Sequence, residues 1–374
     1  MDKDTWQMLG LALAALGVAV FTSVTPRQWR ALRHWFREGR WIPWALLVLA
    51  LVVVLPLLRH TLRRRRVRRA EQAVRQQVAS GPTYLLLPRA DWRPVDPARV
   101  KLWGRLAAAL PRDEHIAFEI VGSGTELAFA LHGSDDGVRA ALAQIKAEWP
   151  GVQRRGVTED PAVLPAGWHI HWCEIAPSTW EEDIVPLSAD PLRAVLTEIN
   201  GVVGRGRAML QLIARADFGT RRAVGQKAVA KRGEKAPHAG VQALRRKEAS
   251  KLEKRFERTF LQVTVRAVGM ADTPERAAGM ARGLARAVCA SFSSQNAVQV
   301  VREGDDPEVV AGRVPGVLKA WADNELAALG HLTGADVLTL APRLRVASAQ
   351  SLPVAPAMRL TPADQVARFT EPLQ

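Results

Sequence analysis

The pattern of hydrophobic and polar positions changes near residue 62. Two uncharged apolar runs precede that point, at residues 6–24 and 41–58. Each is close to the roughly 20 apolar residues that a helix needs to cross a bilayer. The pattern therefore predicts a membrane hairpin over residues 1–62 and a basic linker helix over 63–82.

The first apolar run also has an interpretation as a cleaved signal peptide. Residues 1–4 are not basic, however, and residues 21–25 make a poor small-residue cleavage site. These features favour a retained membrane helix, although the alternative stays open. The arginines after the second run favour a cytoplasmic main body, whereas the basic connector at 26–40 then lies on the side that the positive-inside rule disfavours.

Beyond the linker, apolar runs of strand length alternate with stretches of helix length. Residues 83–158 read as strand, helix, strand, strand, helix, strand, and residues 167–302 repeat that order. Asp-Pro or Thr-Pro-Glu opens three of the helices. The sequence thus predicts an α+β fold, in which two N-terminal transmembrane helices are followed by two ferredoxin-like (βαββαβ) modules.

The second module contains a basic helical insertion at residues 219–258, where the first has only a three-residue turn. Its first part is polar and punctuated by glycine, and a helical pattern begins at residue 241. Leu244, Leu252 and Phe256 fall on one side of that helix among Lys and Arg. We therefore expect one narrow apolar seam to pack while the charges face outward. Residues 303–374 are predicted to form short helices and a Pro- and Ala-rich tail.

The net charge of +15 is concentrated in three segments. Residues 221–258 contain thirteen Lys and Arg against four Glu, a net of +9, and residues 59–75 and 27–40 add +7 and +4. These segments sum to +20, so the rest of the chain nets −5. This distribution argues against a protein that coats nucleic acid uniformly. It favours a few local contacts with the phosphates of lipid or DNA.

Two groups of basic residues are the candidate contact sites. A membrane-surface group is predicted to bind anionic headgroups: Arg63, Arg64, Arg65, Arg66, Arg68 and Arg69. A second group is predicted to contact nucleic acid or a protein partner: Arg221, Arg222, Lys227, Lys231, Arg232, Arg245, Arg246, Lys247, Lys251, Lys254 and Arg255. Because no aromatic residues are interleaved for base stacking, any DNA contact would be to phosphates and non-specific. A merely solvated face is the alternative for this second group.

No complete catalytic or phosphate-binding motif is present. Residues 201–206 follow a helix and lack the Lys-Ser/Thr pair of a P-loop, so they are expected to form a turn. His169, His171 and Cys173 alternate on one predicted strand and point the same way, but a third metal ligand would have to come from elsewhere. Packing or partial exposure is the favoured interpretation. Cys173 and Cys289 have no metal-type spacing, which fits a reducing compartment. We therefore predict no catalytic residue, metal, cofactor or enzymatic activity.

Four features taken together resemble a known family. They are the two apolar runs, the α+β region, the strand at 260–266 after a Lys/Arg-rich helix, and NELAALGHLT at 324–333. The order is similar to the non-motor part of conjugative coupling proteins, the ATPases of type IV secretion, especially the Gram-positive type. In that family a similar segment precedes the nucleotide-binding domain. This chain ends at Gln374, where that motor would begin, so the motor is expected on another polypeptide.

The resemblance implies a membrane-anchored, non-catalytic subunit of a conjugative DNA-transfer or type IV secretion-like machine. Such a subunit would lie in the bacterial inner membrane with its main body in the cytoplasm. It would form a homo-oligomer, dock a separate hexameric ATPase and touch DNA non-specifically. The alternative is a structural membrane scaffold that binds only protein partners or anionic lipid.

Overall fold

The computed structural model describes residues 34, 78–90, 96–111, 114–179, 182–187, 190–217, 225, 229–230, 239–293, 296–333 and 340–347. The chain divides into two units, Met1–Ala70 and Glu71–Gln374, and the elements below all belong to the second. The predicted membrane segments at 6–24 and 41–58 lie outside the described residues. Within the described ranges, no helix combines the length and the apolar character needed to cross a bilayer.

The second unit consists of strands and helices that follow one another in short succession. The strands are β1 (Thr83–Leu87), β2 (Ile116–Ser123), β3 (Leu127–Gly133), β4 (Gln153–Gly156), β5 (His169–Pro177), β6 (Gly206–Ala216), β7 (Phe260–Ala271), β8 (Val298–Gly304) and β9 (Lys319–Ala322). The helices are α1 (Asp96–Ala109), α2 (Asp135–Glu148), α3 (Leu192–Asn200), α4 (Ala239–Phe256), α5 (Pro274–Ala290), α6 (Pro307–Ala311) and α7 (Asp323–Ala327). Local capping sets several helix starts: Ser134 accepts a hydrogen bond from the Gly137 amide, and Thr273 accepts one from the Arg276 amide.

All nine strands of the described ranges belong to one antiparallel sheet. Eight of them lie in the order β4-β1-β3-β2-β6-β7-β5-β8, and β9 pairs with the start of β7. At the centre, β2 and β6 pair along eight positions, from Ile116 opposite Ala214 to Ser123 opposite Arg207. This central pairing joins the two halves of the chain into a single sheet.

The predicted fold class is therefore wrong. The succession βαββαβ occurs twice, but the halves are not separate ferredoxin-like modules, because β2 and β6 use their free backbone N–H and C=O groups to pair with each other. Strand spacing in a sequence does not show which sheet edges will pair. The predicted transmembrane helices likewise have no counterpart in the described ranges. The expectation of a membrane-spanning conjugation component has no support in the described ranges, and the resemblance to conjugative coupling proteins stays a prediction.

Helices α1, α2, α3 and α5 pack against one face of the sheet and form the main core with it. Trp103 of α1 is fully buried, meets Phe118 of β2 edge to face at 6.3 Å, and donates its indole N–H to the Gly330 carbonyl at 2.6 Å. On β7, Gly269 lies directly beneath α5, where an added Cβ would fall 2.2 Å from the Ala277 carbonyl oxygen. The absence of a side chain at this position lets α5 approach the sheet closely.

The opposite face of the sheet carries a buried row of polar side chains. Glu119, Gln211, Arg266 and Glu174 occupy directly paired positions on β2, β6, β7 and β5. Gln211 donates to Glu119 at 2.8 Å, and Arg266 donates to Gln211 at 3.2 Å and to Glu174 at 2.8 Å. Each charge in the row is thus hydrogen-bonded, as burial requires.

Arg313 packs on this second face and contacts the polar row at Glu119. Its guanidinium donates to Glu119 at 3.0 and 3.1 Å and also pairs with Asp160, and its own side chain is fully buried. Asp160 lies in the segment after β4, and Arg313 lies in the segment after α6. Through Arg313, both segments are held next to the carboxylate of Glu119. Loss of one partner would leave a buried charge uncompensated, which is costly, so the network fixes the position of both segments.

Candidate functional site

Helix α4 presents most of its charged side chains to solvent. Arg245, Arg246, Lys247, Lys251 and Lys254 are all exposed, together with Glu248 and Glu253, so the exposed charges of the helix net +3. Three of the basic residues recur at spacings of four and three and therefore share one side of the helix. We call Lys247, Lys251 and Lys254 the basic row. At 1.5 Å per residue it is about 10 Å long.

A different side of α4 attaches the helix to the body of the protein. Ala249, Leu252 and Arg255 recur every three residues and are buried. Leu244, which was expected in the apolar seam, is instead 58% exposed. The packed seam is thus confined to the C-terminal half of α4, and the N-terminal half is exposed at most of its positions.

The strongest anchor of α4 is Arg255, which was predicted to contact a partner. Its guanidinium pairs with Glu325 of α7, donates to Asp183 at 2.7 Å, and lies 5.3 Å from the centre of the Phe260 ring. The side chains of Arg255 and Glu325 are only 1% and 0% exposed. Arg255 therefore holds the helix in place and is not part of the exposed surface.

Glu325 lies at the centre of this anchor. Besides Arg255, its carboxylate accepts hydrogen bonds from the backbone amides of Ile184 at 2.9 Å and Ala322 at 2.8 Å. It belongs to the NELAALGHLT segment singled out by the resemblance, and Leu326, Leu329 and Leu332 of that segment are buried in the main core. In this structure the segment connects the C-terminal turn of α4 to the main core.

The structure describes only part of the predicted contact residues. Arg245, Arg246, Lys247, Lys251 and Lys254 lie on the exposed surface of α4, and Arg255 lies beneath it. The other predicted residues lie outside the described ranges: Arg63, Arg64, Arg65, Arg66, Arg68, Arg69, Arg221, Arg222, Lys227, Lys231 and Arg232.

A second cluster of functional side chains surrounds His171 on β5. Its Nδ1 lies 2.5 Å from an oxygen of Asp305, and its Nε2 lies 3.1 Å from an oxygen of Glu303 on the neighbouring strand β8. Cys173 lies two residues along β5 on the same face and directly opposite Glu303 in the strand register. Ligand atoms of His171, Cys173 and Glu303 all lie within 4.8 Å of one another.

The charges around this cluster shift two of its pKa values. The Arg282 guanidinium, 2.7 Å from Glu303, and then the hydrogen bond with His171 lower the pKa of Glu303 below its usual range. Burial, followed by the charge of Glu303, raises the pKa of the Cys173 thiol to about 11. The cluster is therefore a half-buried group of nitrogen, sulfur and carboxylate oxygen atoms, in which the thiol is protonated at neutral pH.

His171 also lines an open cleft of about 740 Å³ between the N-terminal half of α5 and the segment around residue 305. Arg282 and Asp305 line the same cleft, as does His169. His169 is exposed and takes no part in the cluster. Sequence reasoning placed His169 and His171 together but missed Glu303 and Asp305, because these residues lie more than 130 positions away and only strand pairing brings them close.

Comparisons with known proteins do not identify the chain. No protein family model matches it, and no curated protein does. A solved structure of 6-hydroxy-D-nicotine oxidase from Arthrobacter nicotinovorans is similar at 16% identity, covering 58% of this chain and 45% of that one, with a TM-score of 0.28. The chain thus spans less than half the length of that protein, and a similarity of this extent carries no argument about function. The prediction that the protein is not an enzyme stays a prediction.

Proposed function

We propose that this protein is a non-catalytic nucleic-acid-binding subunit that contacts the DNA phosphate backbone through α4. The observation that carries the proposal is the basic row Lys247, Lys251 and Lys254, which faces solvent while another side of the same helix is fixed to the core.

The spacing of the basic row suits a line of phosphates. Each DNA strand carries one phosphate per 3.4 Å of helix axis, so a row about 10 Å long spans roughly three phosphates. Lysine is a compact point charge without the planar fork that reads base edges, which fits binding that is independent of sequence. Arg245 and Arg246 are also exposed but precede the row on other sides of the helix, so they add only to the general positive field of α4.

The anchor of α4 supports the same function. Arg255 and Leu252 hold the C-terminal half of the helix against the body, so Lys251 and Lys254 of the row are carried on a fixed element. A charged row on a fixed helix loses less conformational entropy on binding than the same charges on a free chain. The separate hexameric ATPase and the homo-oligomer expected from the resemblance stay predictions, since nothing described bears on either.

The proposal is tested with the full-length chain and a fluorescein-labelled DNA duplex of random sequence. Fluorescence anisotropy measures the dissociation constant between 50 and 200 mM salt. The variant Lys247→Glu/Lys251→Glu/Lys254→Glu should bind at least tenfold more weakly at the lowest salt. The log of the association constant decreases with log[salt], and the magnitude of this slope should be smaller by about 2.7 in the variant. Each of the three lost phosphate contacts contributes about 0.9 to it.

A matched variant controls for the change in net charge. Arg139→Glu/Lys146→Glu/Arg193→Glu reverses three exposed basic residues on α2 and α3, far from α4 in sequence. This control should keep most of the affinity and of the salt slope. If both triple variants lose affinity equally, the binding reflects overall charge and the role of α4 is disproved. Binding of α4 to anionic vesicles with no binding to DNA would support the lipid-binding alternative instead.

A further inference from the structure

We propose that His171, Cys173 and Glu303 bind a divalent transition-metal ion of the zinc class, with one coordination position open to the adjacent cleft. Nitrogen, sulfur and carboxylate oxygen are the ligand types that zinc prefers. The three ligand atoms already lie within 4.8 Å of one another. Metal–ligand bonds of 2.0–2.3 Å place tetrahedral ligands roughly 3.5 Å apart, so shifts of about 1 Å would close the site.

The hydrogen-bonding capacity of His171 is the first argument. The ring faces a carboxylate on each side, Asp305 at Nδ1 and Glu303 at Nε2. An imidazolium donates to both carboxylates, whereas a neutral imidazole has a single N–H and donates to only one of them. In the neutral ring with Nδ1 donating to Asp305, the lone pair of Nε2 points at the carboxylate of Glu303, where a metal cation takes the place of the second proton.

Asp305 then has the role that metal sites require of a supporting residue. A histidine ligand usually donates its second ring N–H to a carboxylate, which fixes the tautomer and the orientation of the ring. The short contact between Asp305 and Nδ1 has this geometry. It leaves Nε2 as the coordinating atom on the side where Glu303 and Cys173 lie.

Cys173 supplies the third donor from the same face of β5. It is buried, and its strand partner is Glu303. Metal binding would release the thiol proton to solvent and leave the thiolate as a ligand, so a cation would balance the negative charges that crowd this position. Arg282 is the competing cation, because its Nη2 lies 2.7 Å from the same Glu303 oxygen that faces His171.

Three protein ligands leave a fourth position on zinc for water or an exogenous molecule. His171, Asp305 and Arg282 all line the cleft of about 740 Å³, which gives an ion and such a molecule a route to the site. The cluster thus has three metal-ligand side chains, the carboxylate of Asp305 to orient His171, and access from solvent.

Cobalt(II) is the probe, because it replaces zinc and reports thiolate coordination by its absorption. The full-length chain is treated with a chelator, dialysed and titrated with Co²⁺. We expect one ion per chain, visible ligand-field bands and a near-ultraviolet thiolate-to-cobalt band, all removed by one equivalent of Zn²⁺. Absence of these bands would overturn the proposal.

The chain offers a matched control for each ligand. Cys173→Ser and His171→Ala should abolish the thiolate band or weaken binding at least 100-fold, whereas Cys289→Ser and His169→Ala should leave the titration unchanged. Arg282→Gln should tighten binding because it frees Glu303. Thermal melts of the metal-free variants identify any that fail to fold. Equal effects of the Cys173 and Cys289 variants would also contradict the site.

Discussion

Arg255 and Glu325 form a buried ion pair between positions 70 residues apart in the chain. Nη2 of Arg255 donates to Glu325 at 3.2 Å, and Nη1 contacts the other carboxylate oxygen. The pair joins the C-terminal turn of α4 to α7, which packs on the main core. The carboxylate of Glu325, together with Asp183 and the buried Leu252, therefore holds the basic helix in position.

Replacing Glu325 by Gln should lower the free energy of unfolding by about 3–5 kcal/mol, because Arg255 would remain buried without its main counter-charge. Urea denaturation followed by circular dichroism measures the change. Glu253→Gln, at an exposed position of α4, is the control and should stay within about 0.5 kcal/mol of the wild type. The double variant Arg255→Met/Glu325→Gln should lose less than the sum of the two single variants. Additive losses would contradict direct coupling.

A methyl group at position 269 should destabilise the fold. The added Cβ of Gly269→Ala would lie 2.2 Å from the Ala277 carbonyl oxygen and 2.8 Å from the Ala281 nitrogen, so α5 would have to move off the sheet. We expect a loss of about 1–3 kcal/mol, as in other overpacked cores. Gly279→Ala in the same helix is the control, because its Cβ would meet nothing within 4 Å. That change should stabilise the protein by up to about 1 kcal/mol. Equal effects of the two changes would contradict the close approach.

Stability should decrease when the pH falls below about 6.5, in part because of His132. Burial and the nearby charge of Arg313 lower the pKa of this histidine, while Glu119 and Asp160 oppose the shift. The contacts of the ring suit its neutral form: Nε2 lies 2.8 Å from the Val78 carbonyl, to which it can donate, and Nδ1 lies 2.8 Å from the Thr83 hydroxyl, from which it can accept. The unfolded chain would therefore bind a proton near pH 6.5 that the folded chain does not bind.

The measurement is the free energy of unfolding between pH 5 and 8. One such proton contributes a slope of up to about 1.4 kcal/mol per pH unit, with the full stability present above pH 6.5. His132→Gln should reduce this slope, although it should also lower stability at every pH by removing hydrogen bonds. A slope that is the same in wild type and His132→Gln would exclude this role.

The sequence allowed the strands and helices between residues 83 and 302 to be predicted, because alternation and Asp-Pro or Thr-Pro openings are local signals. Strand β9 was missed, since only short helices and a tail were expected after residue 302. The sequence did not predict the pairing of β2 with β6, since both strands read as ordinary apolar runs and nothing local distinguishes a free edge from a paired one. A local signal did indicate the burial of Arg255, since it follows Ala249 and Leu252 at a spacing of three. Its positive charge nevertheless led to the prediction that it contacts a partner. Glu303 and Asp305 had none, since their proximity to His171 depends on the register of β8 against β5.

The central pairing of β2 with β6 also affects how the chain reaches its native state during synthesis. Gly206 follows Ser123 by 83 residues, so β2 leaves the ribosome long before the strand that covers its edge. At roughly 5–20 residues per second, that edge waits several seconds without its partner. An unpaired strand edge is a template for association with other chains. The first half is therefore exposed to aggregation during translation, and its final structure is reached only once the second half has been made.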